Sequence, residues 1–216
     1  MRNCSIWFPT RYSLHLKPLL TIEILEPIEN IDLFFFRIPD NRSKIKFALK
    51  GDNHTAVFFS NRRLMLYTRM VHKNCYMTVG EAVFIGGGTI SLDNTTMTIG
   101  ASGLWSNGIL IQGTDSHGIV DLDTMEIINA EPKHVILKRR VWLGRMSRVM
   151  KNVTIEEGSI VATGSIVVKD VPKACAVAGV PAKIVKERVS WSHHQNSISE
   201  YDKRQLLKLR NEIATN

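Results

Sequence analysis

Between Leu137 and Val167 an aliphatic side chain returns at every sixth position: Leu137, Leu143, Val149, Ile155, Val161 and Val167. A helix repeats its apolar face every three or four residues and a strand every two, so neither explains this spacing. A second track stands two residues ahead of the first, at Val135, Val141, Ser147, Val153, Ser159 and Ser165, all small or β-branched; Val171 continues it. A hexapeptide period marks a parallel β-helix. Each six residues make a short strand and a turn, and one aliphatic per step points into a column shared by the stacked coils. The strands of a β-sandwich are the competing explanation, but sandwich turns are irregularly spaced and do not sustain such a track.

Upstream the period is fainter. Val79 and Ile85 lie six apart, each followed by glycine, and Ile99 and Ile111 lie twelve apart. "KIKFALKGDNHTAVFF" has the alternation and turn residues of an edge coil without a clean period. The pattern predicts an all-β chain: a parallel β-helix over residues 43–185, an irregular N-terminal cap over 1–42, and a tail over 186–216. In the tail, Ser197 and Glu200 have capping-box spacing, and Tyr201, Leu206, Leu209 and Ile213 approximate one helical stripe. A short α-helix capping the last coil is expected. The track breaks once, in a protruding loop at 112–134 that carries His117. Loops of this length within a compact domain are usually functional.

Composition narrows the class. The 216 residues are 44% hydrophobic and 22% charged, and no apolar run approaches a membrane span. The first residues lack the apolar core and cleavage site of a signal peptide. Three cysteines, Cys4, Cys75 and Cys175, are too few and too scattered for a disulfide framework. A cytoplasmic protein with free thiols is expected. The net charge of +8 favours anionic partners without choosing among them. Seven histidines are present, His15, His54, His72, His117, His134, His193 and His194, but no converging ligand spacing is evident. No metal is expected, and His193 and His194 read as solvated tail residues.

His117 is the leading candidate for chemistry, because an imidazole suits general-base work at neutral pH. Asp115, two residues earlier, would share a face with it in an extended segment. There it would orient the ring or contact an acceptor, or else cap a turn. Ser116 reads as turn chemistry, since "GTDSHG" is not a nucleophile elbow. Trp142 precedes the inward Leu143 and so points outward, either packing against another chain or walling a site. Gly144 lets a ligand approach the backbone, and Arg145 offers charge to an acidic acceptor.

"TDSHGI", "VWLG" and "GSIVATGSIVVKDVP" followed by "AGVPAKIVKE" resemble, in order, the catalytic-histidine loop, the tryptophan-glycine step and the terminal coils of the hexapeptide-repeat acyltransferases. The resemblance covers roughly residues 79–190. "TDSHGIVDLDTMEIIN" leading into "VILKRRVWLG" is similar to the bacterial capsule O-acetyltransferases, including those acting on polysialic acid. It implies a left-handed β-helix, acetyl-CoA as cosubstrate, a glycan hydroxyl as acceptor and a homotrimer with sites between subunits. It implies His117 as base, with Trp142 beside it. Gly144, Ala162, Thr163 and Gly164 would hold the pantetheine arm, and Lys169, Lys183 and Lys186 the phosphates. Arg145 departs from the pattern, standing where a small residue is usual.

Two other readings remain. One is acetylation of a small acceptor: a galactoside, an antibiotic, serine or a nucleotide-linked amino sugar. The other is a non-catalytic scaffold whose charge binds nucleic acid or membrane. No aromatic-and-basic platform supports nucleic-acid binding, and no integral membrane segment is expected.

Overall fold

The computed structural model describes residues 2–8 and 19–215; His15 lies outside them. Among the described residues seventeen strands join one continuous sheet that coils on itself as a parallel β-solenoid of about seven turns, with one C-terminal helix. Three flat faces repeat. Lys73–Val79, Thr95–Ile99, Lys133–Leu137 and Val153–Ile155 stack in parallel on the first. Leu104–Trp105, Trp142–Leu143, Ile160–Val161 and Cys175–Gly179 stack on the second. Ile109–Gln112, Arg148–Met150 and Ile166–Val167 stack on the third. The ten-residue strand Phe84–Asp93 turns from the second face onto the third.

The six-residue track is the interior of this prism. Leu137 and Ile155 belong to the first face, Leu143 and Val161 to the second, Val149 and Val167 to the third, and all six are essentially inaccessible to water. Each buried aliphatic side chain contributes about 1.5–3 kcal/mol relative to exposure. The second track is buried as well; of its serines, Ser147 Oγ finds no partner, whereas Ser159 and Ser165 are satisfied by neighbouring turns. Ser159 Oγ donates to the Pro172 carbonyl at 2.6 Å, and Ser165 Oγ accepts from Gly179 N at 3.1 Å.

The stack begins earlier than residue 43. Arg2–Trp7 pairs in parallel with Leu20–Phe35, which pairs in parallel with Lys44–Phe58. The described part of the N-terminal segment is thus further coil, where the sequence pattern pointed to an irregular cap. The hexad fails there because the turns are longer. Equivalent corner positions are 18 residues apart between His134 and Asn152, but 27, 23 and 21 apart along Asn3, Asn30, Asn53 and Asn74. These four asparagines form a ladder, each side-chain amide donating to the next carbonyl oxygen. All four have φ between 49° and 59°, a left-handed conformation that asparagine tolerates better than most residues.

The helix, Glu200–Ala214, starts at Ser199, whose hydroxyl accepts from Asp202 N at 3.1 Å; Ser197 is not the cap. Nor does the helix close the end of the stack. It runs along the edge between the first and second faces, touching successive turns at Ser102, Arg139, Gly158 and Lys173. Its buried anchors are Leu209 and Asp202. The Asp202 carboxylate pairs at 3.1 Å with Arg140, and both side chains are fully buried. Trp191 completes the joint: its indole donates to the Arg140 carbonyl at 2.7 Å, and its ring lies 4.5 Å from the guanidinium. His193 belongs to this joint and is not a free tail residue, since its Nδ1 lies 2.9 Å from Asp202. The last turn is closed instead by Ala182–Glu187, which folds back antiparallel on Cys175–Gly179.

Candidate active site

The solenoid is interrupted at one edge, between the third and first faces. The chain leaves after Gln112 and returns at Lys133. Gly113 N donates to the Ser91 carbonyl and Lys133 N to the Asn94 carbonyl, both at 2.9 Å, so the excursion departs and re-enters at nearly the same place. Its outer half is a small antiparallel hairpin joined at Val120 and Ile127. Asp121 caps the tip, its carboxylate accepting from Asp123 N and Thr124 N. Leu122 and Met125 are 83% and 74% exposed there, an unusual display for residues of this size.

His117 sits at the base of the hairpin, exposed, on the rim of an open cleft of about 500 Å³. Leu110, Arg148 and Ile166 of the third face form the cleft wall. On its other side His117 borders a smaller depression of about 130 Å³ shared with Asn129 and Lys133.

Asp115 does not orient the imidazole. Ser116 adopts φ 63°, which breaks the extended geometry expected of residues 115–117. The Asp115 carboxylate instead accepts from Lys151 Nζ and, at 2.7 Å, from Asn129 Nδ2. Those hydrogen bonds, Lys151 foremost, hold its carboxyl below the ordinary value. Asn129 is the residue that the sequence reading missed. Its Nδ2 also donates to the His117 carbonyl at 2.9 Å, and its Oδ1 accepts from Ile119 N at 2.8 Å. Asp115, Lys151 and Asn129 therefore fix the backbone that carries His117.

Trp142 lies elsewhere in the chain. It is half-buried on the second face, tilted against Trp191 with ring centroids 6.5 Å apart, whereas His117 overlooks the third. A single protomer does not bring the two together. Gly144 follows Trp142 at the edge between the second and third faces. A Cβ there would stand 2.7 Å from Thr163 N and Val161 O, so the stacking of turns requires the glycine. Gly164, with φ 71° and nothing within 4 Å of an added Cβ, is the glycine that faces open space. Two of the three amides expected to greet a ligand are already engaged: Ala162 N donates to Val177 O and Gly164 N to Arg145 O, both at 2.9 Å. Thr163 has no such backbone bond among the described residues.

Gly144, Arg145, Ala162, Thr163 and Gly164 thus share one edge. Lys169 lies on the edge below the His117 loop, and Lys183 and Lys186 lie on the last strand. All three lysines are exposed. Open backbone at Thr163 and Gly164, with lysines about the lower turns, fits a long amide-containing, phosphate-bearing ligand. Burial pushes the Cys75 thiol up to about 11 and raises Cys175 as well, so neither is a thiolate at neutral pH. Among the described residues no group of three or more potential ligands gathers to hold a metal, and no helix is long and apolar enough to cross a membrane.

No family model matches the chain. Over 121 residues, 56% of its length, it is 33% identical to a polysialic acid O-acetyltransferase of Escherichia coli O1:K1 / APEC, of which the match covers 39%. Over 110 residues it is 33% identical to a serine acetyltransferase of Buchnera aphidicola, covering 50% of this chain and 40% of that one. Two solved structures share the fold over nearly their whole length. The polySia-specific acetyltransferase NeuO superposes with a TM-score of 0.68 at 23% identity, over 90% of this chain and 98% of that one. The polysialic acid O-acetyltransferase OatWY superposes with a TM-score of 0.68 at 26% identity, over 88% and 95%. The relatives and structural neighbours of the chain are hexapeptide-repeat acetyltransferases. The chain spans about two fifths of the length of the curated acetyltransferases that it matches.

Proposed function

We propose that the chain is an acetyl-CoA-dependent O-acetyltransferase acting on a hydroxyl of an acidic surface glycan, with sialic acid-containing polymers the leading acceptor class. The observation that carries this reading is the placement of His117: exposed at the rim of a cleft of about 500 Å³, on a loop base held by Asn129, with Arg148 in the wall. Similarity to two polysialic acid O-acetyltransferases supports the acceptor class.

In this reading acetyl-CoA supplies an acetyl group activated as a thioester. His117 takes the proton from the acceptor hydroxyl, and the positive charge of Arg148 draws an anionic sugar toward the cleft. Thr163 and the open backbone at Gly164 hold the pantetheine arm, with Gly144 and Ala162 shaping its bed. Lys169, Lys183 and Lys186 face the phosphates. Trp142 and His117 occupy different faces of one protomer, so a site that uses both is built between two copies, as in a homotrimer. The reaction takes place in the cytoplasm, where the cosubstrate is made.

A small hydroxyl acceptor such as serine is the second reading, favoured by the match to a serine acetyltransferase. Thiol release from acetyl-CoA, measured with acidic polysaccharides, neutral glycans and serine, separates the two. His117→Ala is expected to lower turnover about a hundredfold or more. Near-normal turnover in that variant overturns the proposed chemistry.

A further inference from the structure

We propose that the outer surface of the third face is an acceptor track with two subsites, the cleft beside His117 and a groove of about 540 Å³ nearer the N-terminus, which together hold one acidic glycan chain. The inference rests on the acetyl-transfer reading and extends it from a sugar unit to a chain. Leu110 borders both hollows, so they run into each other on one face. Lys44, Tyr67, Gly86, Gly87 and Gly88 line the second.

One outward column connects them. Lys46, Tyr67, Thr89, Leu110 and Arg148 lie in register on successive rungs. Their neighbours in the chain, Phe47, Thr68, Ile90, Ile111 and Val149, are buried, so the five named side chains face outward by alternation. Neighbouring strands of a sheet lie about 4.8 Å apart, which puts Lys46 and Arg148, four rungs from each other, about 19 Å apart. A single sugar ring is far shorter than that span; a chain of several units covers it.

The chemistry along the column suits an acidic sugar. Lys44 is exposed and forms no ion pair among the described residues. Lys46 pairs with Glu23 at 2.7 Å and lies 5.5 Å from the centre of the Tyr67 ring. Tyr67 thus offers a flat aromatic surface beside positive charge. At the other end of the column Arg148 is exposed. Among the described residues the one carboxylate bordering either hollow is Asp115, which Lys151 and Asn129 already engage. The groove also has a bare floor. Gly86 and Gly87 together stand opposite Met65, where the register shifts between Leu64 and Leu66. Successive glycines weaken a strand, and in that position they mark a bulge or a close approach to the backbone.

Binding is tested on the full chain by titration calorimetry with a linear sialic acid trimer and octamer, and with a neutral glucan octamer as the uncharged control. The sialic acid octamer is expected to bind about tenfold or more tighter than the trimer, because its second contact is made within one complex. The neutral octamer should show no such gain. Lys44→Gln and Tyr67→Ala are each expected to remove most of the advantage of the octamer and to leave the trimer as it was. Thr89→Glu, which sets a negative charge in the middle of the path, should act in the same way. Thiol release from acetyl-CoA gives a second readout: the three variants should raise KM for the octamer about tenfold without lowering kcat. Equal affinity for trimer and octamer, no binding of the octamer, or variants that bind it as the unaltered chain does, overturns the track. Acetyl transfer that persists in any of those cases leaves the proposed activity standing. Length-dependent binding with no thiol release from any acceptor does the reverse. Variants that change the sedimentation of the chain but not its affinity for the octamer give the groove to a contact between copies, and the track is again overturned.

Discussion

Asn129 illustrates how one side chain governs another without facing the reacting atoms. Through three hydrogen bonds it ties Asp115, the His117 carbonyl and Ile119 N into one knot. Asn129→Ala is expected to lower kcat about ten- to hundredfold, because small misplacements of a catalytic group have effects of that size. KM for acetyl-CoA should hold steady, and the melting temperature should stay near that of the unaltered chain, since the knot lies outside the core. A change in KM alone would place Asn129 with substrate binding. The loop that carries His117 was legible in the sequence because it interrupts a regular track. Asn129 was not, because its value lies in bridging backbone groups 10 and 12 residues away. Asp115 shows the opposite failure: alternation placed it beside the imidazole, and one left-handed residue, Ser116, turned it toward Lys151.

At the scale of elements, the corner helix is anchored by a buried ion pair as well as by Leu209 of its apolar stripe. Burial alone would raise the Asp202 carboxyl, but hydrogen bonds from His193, Arg140 and Ser199 outweigh it and hold the group well below the carboxylate range. A carboxyl lowered by folding adds stability above its unfolded value near 3.9. That gain fades as the pH falls toward the folded value. Asp202→Asn leaves Arg140 buried and unneutralised, and is expected to cost about 3–5 kcal/mol at pH 7 in urea unfolding. The gap to the unaltered chain should narrow as the pH is lowered below about 4. A gap of constant size across that range would sever the link to this carboxylate. The helix itself was readable from Leu206, Leu209 and Ile213. Its start and docking were not, because the cap is Ser199 and the deepest anchor is an acidic residue that no apolar pattern marks.

For the molecule as a whole, the hexad was legible only where each turn holds 18 residues. Farther toward the N-terminus the corners absorb extra residues, and the usable signal passes to the ladder of Asn3, Asn30, Asn53 and Asn74. On the proposed function, the separation of His117 and Trp142 on different faces leads to a further expectation for an assembly of copies. His117→Ala and Trp142→Ala, each impaired alone, should regain activity when unfolded together and refolded as a mixture. About a quarter of the sites would then join an intact histidine to an intact tryptophan from a neighbouring copy. No recovery would mean that the two do not act across an interface. The excursion that carries His117 begins and ends within a few residues on a single edge, anchored to Ser91 and Asn94. Lengthening, shortening or exchanging its tip need not disturb any rung below, so on the proposed function the recognition of new acceptors can evolve there as a graft, independently of the scaffold that bears it.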